Sequence, residues 1–542
     1  MDGGDGFDTA SYDDSTSGLT IDLANMAAST GAAQGDTLSN IEQVEGSPND
    51  DTIYGTSGND VIGGGLERTN VANNGNDQLF GREGSDYLIG GEGGDRLDGG
   101  TGSDTASYIS AAAGLTVNLQ TPNQNTGDAA GDLYISIENL VGSAYNDILI
   151  GDAGDNVIGG ATGSNQINGG AGSDTVSYYS YYSYNFVTNA IGTVGVMVNL
   201  TTGIATAGSD ADDPNQLNRI DDTLANIENV EGSNFIDTLI GNDQDNVLAG
   251  LDKGDLINGG GGNDTVSYRY SEAAVTVNLA TGETTGGHAT GDTLISIENL
   301  EGSGNSDRLT GNIGNNVLTG GAGADELDGG AGTDMASYRR SSVGVTVNLS
   351  LITQVSAGDA NGDVLKNIEN LEGSLLDDTL TGNSANNLFV GLEGNDTLNG
   401  NGGADTLLGN GGLDTLNGGG DNDLLDGGAD NDALNGEAGD DFLVGGAGAD
   451  ALNGGGGLDT ASYFASTMGV TVSLATGTGA GGEAEGDTLA LGTIENLEGS
   501  RRDDKLVGNR GNNRLSGEQA RIYWMAASEP IGSTVGQGQI NC

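Results

Sequence analysis

Isolated apolar residues recur every nine positions through the longest regular stretch of the chain, at Leu398, Leu407, Leu416, Leu425, Leu434, Leu443 and Leu452. Helical periodicity is absent almost everywhere, so the pattern predicts no amphipathic helices. Cut into nines, residues 373–462 give ten units in one frame, with the consensus G-G-x-G-x-D-x-L-x. The same unit fills 46–63, 72–107, 142–177, 232–267, 302–337 and 499–516, with one copy at 3–11; together these are thirty-one nonapeptides, about half the chain. A fixed short period of this kind is the signature of a solenoid.

A second segment interrupts the blocks six times. It opens on S-Y (Tyr12, Tyr108, Tyr178, Tyr268, Tyr338, Tyr463), continues through pieces such as V-T-V-N-L, and closes on I-E-N-L-E-G-S or a close variant. The V-T-V-N-L pieces alternate apolar and polar residues, the period of a half-buried strand. The Leu or Val of the closing I-E-N-L-E-G-S stands two residues before the next block's first Gly, the register of the nonapeptide leucine. The interruptions therefore read as wider turns of the same solenoid, each carrying a loop around a Gly/Asp-rich middle. The third copy is longer, with Y-Y-S-Y-Y-S-Y and G-S-D-A-D-D-P-N-Q as enlarged loops. These landmarks divide the chain into 1–107, 108–177, 178–267, 268–337, 338–462, 463–517 and a non-repeat tail, 518–542.

The nonapeptide has a direct physical reading. Its glycines permit positive φ at no steric cost, so G-G-x-G-x-D turns tightly. The trailing x-L-x makes a very short strand with the leucine pointing inward. Two units make one turn of eighteen residues, and turns stack as parallel strands about 4.8 Å apart. The expected fold is all-β: a right-handed parallel β-roll or β-helix solenoid with interrupting wider turns and loops.

Stacking brings the sixth-position aspartates together, Asp396 over Asp414 and Asp405 over Asp423. At an effective dielectric of about 20, two such charges repel by roughly 3.5 kcal/mol. Calcium binds oxygen at about 2.3–2.6 Å, so two oxygens across the ion lie roughly 5 Å apart, close to the stacking distance. Carbonyls of the glycine turns can complete its shell. Magnesium demands a tighter octahedron, and zinc prefers nitrogen or sulfur ligands that this chain lacks. One inward leucine per nine residues is little apolar burial for the backbone it must order, so metal binding is the expected source of the remaining folding free energy.

Composition narrows the partners further. The 542 residues carry 79 acidic against 16 basic side chains, a formal net charge of -63, with 101 Gly and 4 Pro. Such a polyanion is repelled by nucleic acid and by anionic membranes, which leaves cations as partners. No apolar run is long enough to span a bilayer, and membrane insertion is not expected. The N-terminus M-D-G-G-D-G-F-D lacks the basic and apolar regions of a cleaved signal peptide. His288 is the only histidine and Cys542 the only cysteine. That excludes H-E-x-x-H, Ser-His-Asp and Cys-His chemistry within the chain, and no paired-carboxylate site stands out. The chain is not expected to be an enzyme.

The in-frame G-G-x-G-x-D-x-L-x units resemble the RTX (repeats-in-toxin), hemolysin-type calcium-binding repeat family, and the interrupting segments look like those of large bacterial proteins of this type. The resemblance implies type I secretion through an uncleaved C-terminal signal and folding outside the cell, where calcium is plentiful. It assigns calcium ligation to the sixth-position aspartates: Asp378, Asp396, Asp405, Asp414, Asp423, Asp432, Asp441, Asp450 and Asp459 in the long block, and Asp77, Asp86, Asp95 and Asp104 in an earlier one. Two functions fit. One is a calcium-folded extracellular structural or adhesive array, with room for a cell-surface or extracellular-matrix partner. The other is the export and folding module of a secreted toxin or hydrolase whose active domain lies outside this chain. The length of the interrupted array favours the first.

Several positions depart from the pattern. Asn156, Asn246, Asn316, Asn387 and Asn513 hold the sixth position in the second unit of five blocks, where weaker or empty sites are expected. Asp421 and Asp430 replace glycines, so their turns are expected to be strained or to carry extra ligands. Block-opening aspartates such as Asp51, Asp60 and Asp147 divide evenly between ligand and solvated carboxylate. The I-E-N glutamates Glu42, Glu138, Glu228, Glu298, Glu369 and Glu495 share the sixth-position register; they read as solvated strand residues, with closure of each block's first calcium site as the alternative. The S-Y tyrosines are expected to pack on the solenoid edge, and His288 reads as a loop residue. The tail E-Q-A-R-I-Y-W-M-A-A-S-E-P-I-G-S-T-V-G-Q-G-Q-I-N-C matches neither repeat nor secretion signal and reads as a fragment end or an altered reading frame.

Overall fold

A computed structural model describes residues 1–4, 6–64, 75–179, 195–207 and 220–517. The enlarged loops of the third interruption fall largely outside these residues, as does the tail from 518. Among the described residues there is no α-helix. Strands of two to six residues alternate with turns, and the described 3-10 turns lie in the interruptions.

The nonapeptide sets the register. Thr397–Gly402 lies parallel to Thr415–Gly420 with Leu398 beside Leu416, and Thr415–Gly420 lies parallel to Ala433–Ala438 with Leu416 beside Leu434. Alternate units build the facing sheet, where Thr406–Gly411 pairs with Leu424–Ala429 and that strand with Phe442–Ala447. Each residue thus meets its counterpart two nonapeptides later, as an eighteen-residue turn requires. The leucines of both sheets fill the space between them. Leu398, Leu407, Leu416, Leu425, Leu434 and Leu443 are all fully buried. The fold is the expected all-β parallel β-roll.

The interruptions are wider turns, built in a way the sequence did not disclose. Thr105–Ser107 pairs in parallel with Asn139–Val141, so one sheet continues across the inserted segment. The other sheet changes hands there. Thr116–Asn118 pairs forward with Ile148–Ile150 and founds the next stack, while Leu133–Ile135 returns to close the previous one on Arg96–Thr101. The third and sixth copies place an antiparallel strand between these two, Ile204–Ala207 and Thr478–Ala480. The chain divides into two compact units: Met1–Ser271 with Gly282–Asn299, and Glu272–Thr281 with Leu300–Cys542.

The thin leucine core gives one prediction. Removing the fully buried Leu416 side chain leaves a cavity between the sheets and is expected to cost about 2–5 kcal/mol. Leu413, 55% exposed in the same unit, is expected to tolerate alanine within about 0.5 kcal/mol. Urea unfolding of Leu416→Ala and Leu413→Ala at saturating calcium compares them. Equal losses would mean that the inward leucines do not carry the packing.

Candidate metal centre

At each step of the long block the sixth-position aspartate is tied to its neighbour one turn on. The Asp396 N–H donates to Asp414 Oδ1 at 2.8 Å, Asp414 N–H to Asp432 Oδ1 at 2.8 Å, and Asp432 N–H to Asp450 Oδ1 at 2.9 Å. The opposite edge repeats this from Asp405 to Asp423 (2.8 Å), Asp423 to Asp441 (2.9 Å) and Asp441 to Asp459 (2.9 Å). Both edges are therefore carboxylate ladders in which Oδ1 has a backbone donor.

The second oxygen does not. The Oδ2 atoms of Asp396, Asp405, Asp414, Asp423, Asp432, Asp441, Asp450 and Asp459 are buried and receive no hydrogen bond from the described residues. Each faces the first glycine of its own unit. A Cβ placed on Gly409 would lie 2.3 Å from Asp414 Oδ2 and 2.5 Å from the Gly427 carbonyl oxygen one turn on. At Gly400 the corresponding distances are 2.3 Å to Asp405 Oδ2 and 2.5 Å to Gly418 O. Glycine is needed there because an anionic oxygen and a carbonyl oxygen converge on that space.

Burying these carboxyls is electrostatically unfavourable. Burial pushes Asp396 up to about 7, with the charges of Asp378 and Asp414 adding to the shift and the Asp378 N–H opposing it. Burial likewise raises Asp423 and Asp432 to about 7, with ladder neighbours contributing. A row of buried carboxylates, each with one oxygen lacking a donor, is a donor set that fits a hard divalent cation. Among the described residues no three acidic or histidine side chains converge on one point. A cation held here would therefore draw further oxygen ligands from the main chain.

The earlier block has the same construction. Asp77 N–H donates to Asp95 Oδ1 and Asp86 N–H to Asp104 Oδ1, both at 2.7 Å, and the Oδ2 atoms of Asp86, Asp95 and Asp104 are buried without a hydrogen bond. Five further aspartates in the shorter blocks match this geometry: Asp174, Asp255, Asp264, Asp325 and Asp334. Their sixth-position register is the signal that marks them.

Asp378 differs. Its Oδ2 accepts the Ser374 N–H at 2.5 Å, and its Oδ1 accepts the Ser374 hydroxyl at 2.9 Å and the Val345 N–H at 2.6 Å. Asp51, Asp147, Asp237 and Asp307 open their blocks in the same way, each accepting from the serine four residues before it and from a main-chain N–H of the preceding interruption, that of Leu19, Leu115, Val196 and Val275 respectively. The G-S that closes each interruption thus caps the first aspartate of the block.

The asparagines are explained by donors rather than by charge. The Asn387 side-chain N–H donates to the Glu369 carbonyl at 2.6 Å, while its Oδ1 accepts the Asn383 N–H at 3.1 Å. Asn156, Asn246 and Asn513 repeat both bonds, on Glu138, Glu228 and Glu495 respectively. An aspartate cannot donate, so the amide is the group that satisfies this step by hydrogen bonds alone. Asp421 and Asp430 both adopt φ of +72° and stand exposed at the turns, a conformation that aspartate tolerates better than most residues.

Two further carboxylates enter from each interruption. The S-Y tyrosines are buried, and each phenol donates to one aspartate of the Gly/Asp-rich middle: Tyr12 to Asp36, Tyr108 to Asp132, Tyr178 to Asp222, Tyr268 to Asp292, Tyr338 to Asp363 and Tyr463 to Asp487, at 2.6–3.1 Å. The other oxygen of Asp132 accepts the N–H of ladder residue Asp95, and Asp292, Asp363 and Asp487 serve Asp255, Asp325 and Asp450 likewise. On the opposite edge the glutamates of this position take the N–H of the last aspartate of the preceding block: Glu42 from Asp8, Glu138 from Asp104, Glu228 from Asp174, Glu298 from Asp264, Glu369 from Asp334 and Glu495 from Asp459, at 2.8–3.1 Å. His288 lies in a short 3-10 turn of its loop, its Nε2 3.6 Å from Asp252 Oδ1.

A parallel β-roll whose stacked turns expose rows of carboxylate oxygens to one another defines a metal-binding repeat solenoid. The profile of the RTX calcium-binding nonapeptide repeat matches at 37–68, 71–106, 141–176, 231–267, 301–336, 372–461 (three overlapping matches) and 491–520, more than half of the chain. The protein belongs to the RTX calcium-binding nonapeptide repeat family and is a calcium-binding repeat protein. No individual curated protein matches it.

The raised carboxyls predict a pH dependence. Unperturbed aspartates titrate near 3.8, whereas burial raises Asp405 and Asp459 to about 6 and Asp396, Asp423 and Asp432 to about 7. The metal-free folded state then holds more protons than the unfolded chain between about pH 4 and 7. Its stability rises as pH falls through that window and is lost as pH climbs back. Circular dichroism in chelator is expected to show β content growing from pH 7.5 to 5, with the calcium midpoint moving to higher calcium as protons compete. A metal-free spectrum flat across this range would contradict it.

Proposed function

We propose that the chain is a non-catalytic, calcium-folded extracellular array with a structural or adhesive role. The observation that supports this most is the row of buried Oδ2 atoms without donors. A fold that isolates so many carboxylate oxygens reaches its compact state only where divalent cations are abundant. Calcium sites of extracellular modules work at about 0.1–1 mM, far above cytosolic levels. Secretion to the medium or the cell surface follows from that requirement. In this reading Asp77, Asp86, Asp95, Asp104 and Asp396 through Asp459 in steps of nine are the ligands, together with the five aspartates of the shorter blocks. Asp378, whose carboxylate is already capped by Ser374 and the Val345 N–H, is not among the ligands in this reading. Among the described residues no helix is long and apolar enough to cross a membrane. A cell-surface or matrix partner would meet the outward side chains of the sheets, where Leu256, Ile295 and Phe442 are exposed.

A calcium titration followed by circular dichroism tests the reading. The chain is expected to be mostly disordered in chelator and β-rich in calcium, with a midpoint between about 0.1 and 1 mM. Asp414→Ala removes a carboxylate from two ladder steps and is expected to raise the midpoint. Asp426→Ala lies on the strand between Leu408 and Val444 and is expected to move it much less. A β spectrum that persists in excess chelator, or equal effects from the two substitutions, would sink the proposal.

A further inference from the structure

The exit of each interruption repeats the local design of a ladder step with different residues. Asp104 is fully buried, and its Oδ2 receives no hydrogen bond from the described residues. A Cβ on Gly99 would meet that oxygen at 2.4 Å and the Ser136 carbonyl oxygen at 2.3 Å. Inside a block the second contact is the carbonyl of a glycine one turn on; here a non-glycine residue supplies it. Ser136 does so at φ +47°, and Asn226, Ser296 and Asn367 hold the same place at +48° to +49°. Such residues pay for the left-handed region in steric strain, and its recurrence two positions before Glu138, Glu228, Glu298 and Glu369, and at Asn40 (φ +50°) before Glu42, marks a required carbonyl direction; before Glu495 the carbonyl comes from Thr493 without a positive φ.

The glutamate completes the arrangement. Glu138 Oε2 accepts the Asp104 N–H at 2.8 Å, the bond that Asp414 Oδ1 makes with the Asp396 N–H inside the block. One turn further, the Asn156 side chain takes the Glu138 carbonyl and the Asp152 N–H, so that step is closed by hydrogen bonds. The open step is therefore the last of the preceding block, not the first of the next.

We propose that each such exit is an additional calcium site, formed at the exit that follows Asp104 by the Asp104 carboxylate, the Ser136 carbonyl and the Glu138 carboxylate. The proposal rests on the calcium ladder and extends it into segments that lie outside the nonapeptides. The interruptions then carry the metal ladder forward on one edge. On the other edge Asp132 has both oxygens engaged, by the Tyr108 phenol and the Asp95 N–H.

The test uses the full chain carrying Glu138→Gln, Glu228→Gln, Glu298→Gln, Glu369→Gln and Glu495→Gln. Glutamine keeps an oxygen for the aspartate N–H and removes the charge. Equilibrium dialysis with radioactive calcium is expected to show about five fewer bound ions per chain than wild type, one for each glutamate, at unchanged circular dichroism in saturating calcium. A glutamate that merely caps the N–H is served equally well by glutamine, so an unchanged ion count in the folded variant would overturn the proposal. Should the fivefold variant fail to fold, Glu228→Gln alone must lose about one ion, and retention of the full complement overturns the proposal equally. A wild type that bound no calcium would bring down the ladder itself, whereas equal uptake by both chains would remove only these exit sites.

Discussion

An eighteen-residue turn places every side chain one strand spacing from its counterpart, and for a sixth-position aspartate that counterpart is another carboxylate. The rest of the structure depends on how that repulsion is relieved. The backbone handles half of it, since each aspartate N–H donates to the Oδ1 of the next, as from Asp396 to Asp414. Among the described residues no further donor reaches Oδ2, because the glycine that frames it has no side chain and the neighbouring carbonyl is itself an acceptor. A cation can satisfy both oxygens at once. The same glycines that let the chain turn therefore also leave the space in which anionic and carbonyl oxygens meet.

Wherever the chain relieves the repulsion without a cation, it changes the residue. Serine caps the opening aspartates, as Ser374 does for Asp378. Asparagine replaces aspartate where a donor is wanted, as Asn387 serves the Glu369 carbonyl. A buried tyrosine phenol neutralises one oxygen of the carboxylate that each interruption adds, as Tyr463 does for Asp487. These are three chemically distinct donors for one recurring need: the serines and tyrosines sit at block boundaries, and the asparagines in the second unit of a block or, at Asn165, in the third. The run 391–462 has aspartate at every ladder position, and there the buried oxygens accumulate.

The nonapeptide architecture was legible because its information is local. The turn glycines, the inward leucine and the aspartate lie within nine residues, so spacing alone predicts the eighteen-residue register seen between Leu398 and Leu416. The ladder aspartates were legible for the same reason, and those of the shorter blocks carry the same mark. The boundary devices were not. Tyr108 and Asp132 are twenty-four residues apart, and nothing in the intervening sequence says that a wider turn will bring them together. The asparagines looked like weakened ligands because charge was the only property that spacing brings forward; their role as donors appears once the Glu369 carbonyl is seen beside the Asn387 amide. The exchange of sheets inside each interruption was hidden too, since V-T-V-N-L looks the same whether it pairs forward or back.

The central claim is that ions occupy the open aspartate steps and not the hydrogen-bonded ones. Anomalous diffraction from crystals grown in calcium, with data collected at long wavelength, reads this directly. The account predicts anomalous peaks about 2.3–2.6 Å from the Oδ2 atoms of the ladder aspartates from Asp396 to Asp459, and none at the Asn156, Asn246 and Asn387 side chains. Peaks at the asparagines, or an ordered β-roll whose ladder carboxylates carry no ion, would contradict it.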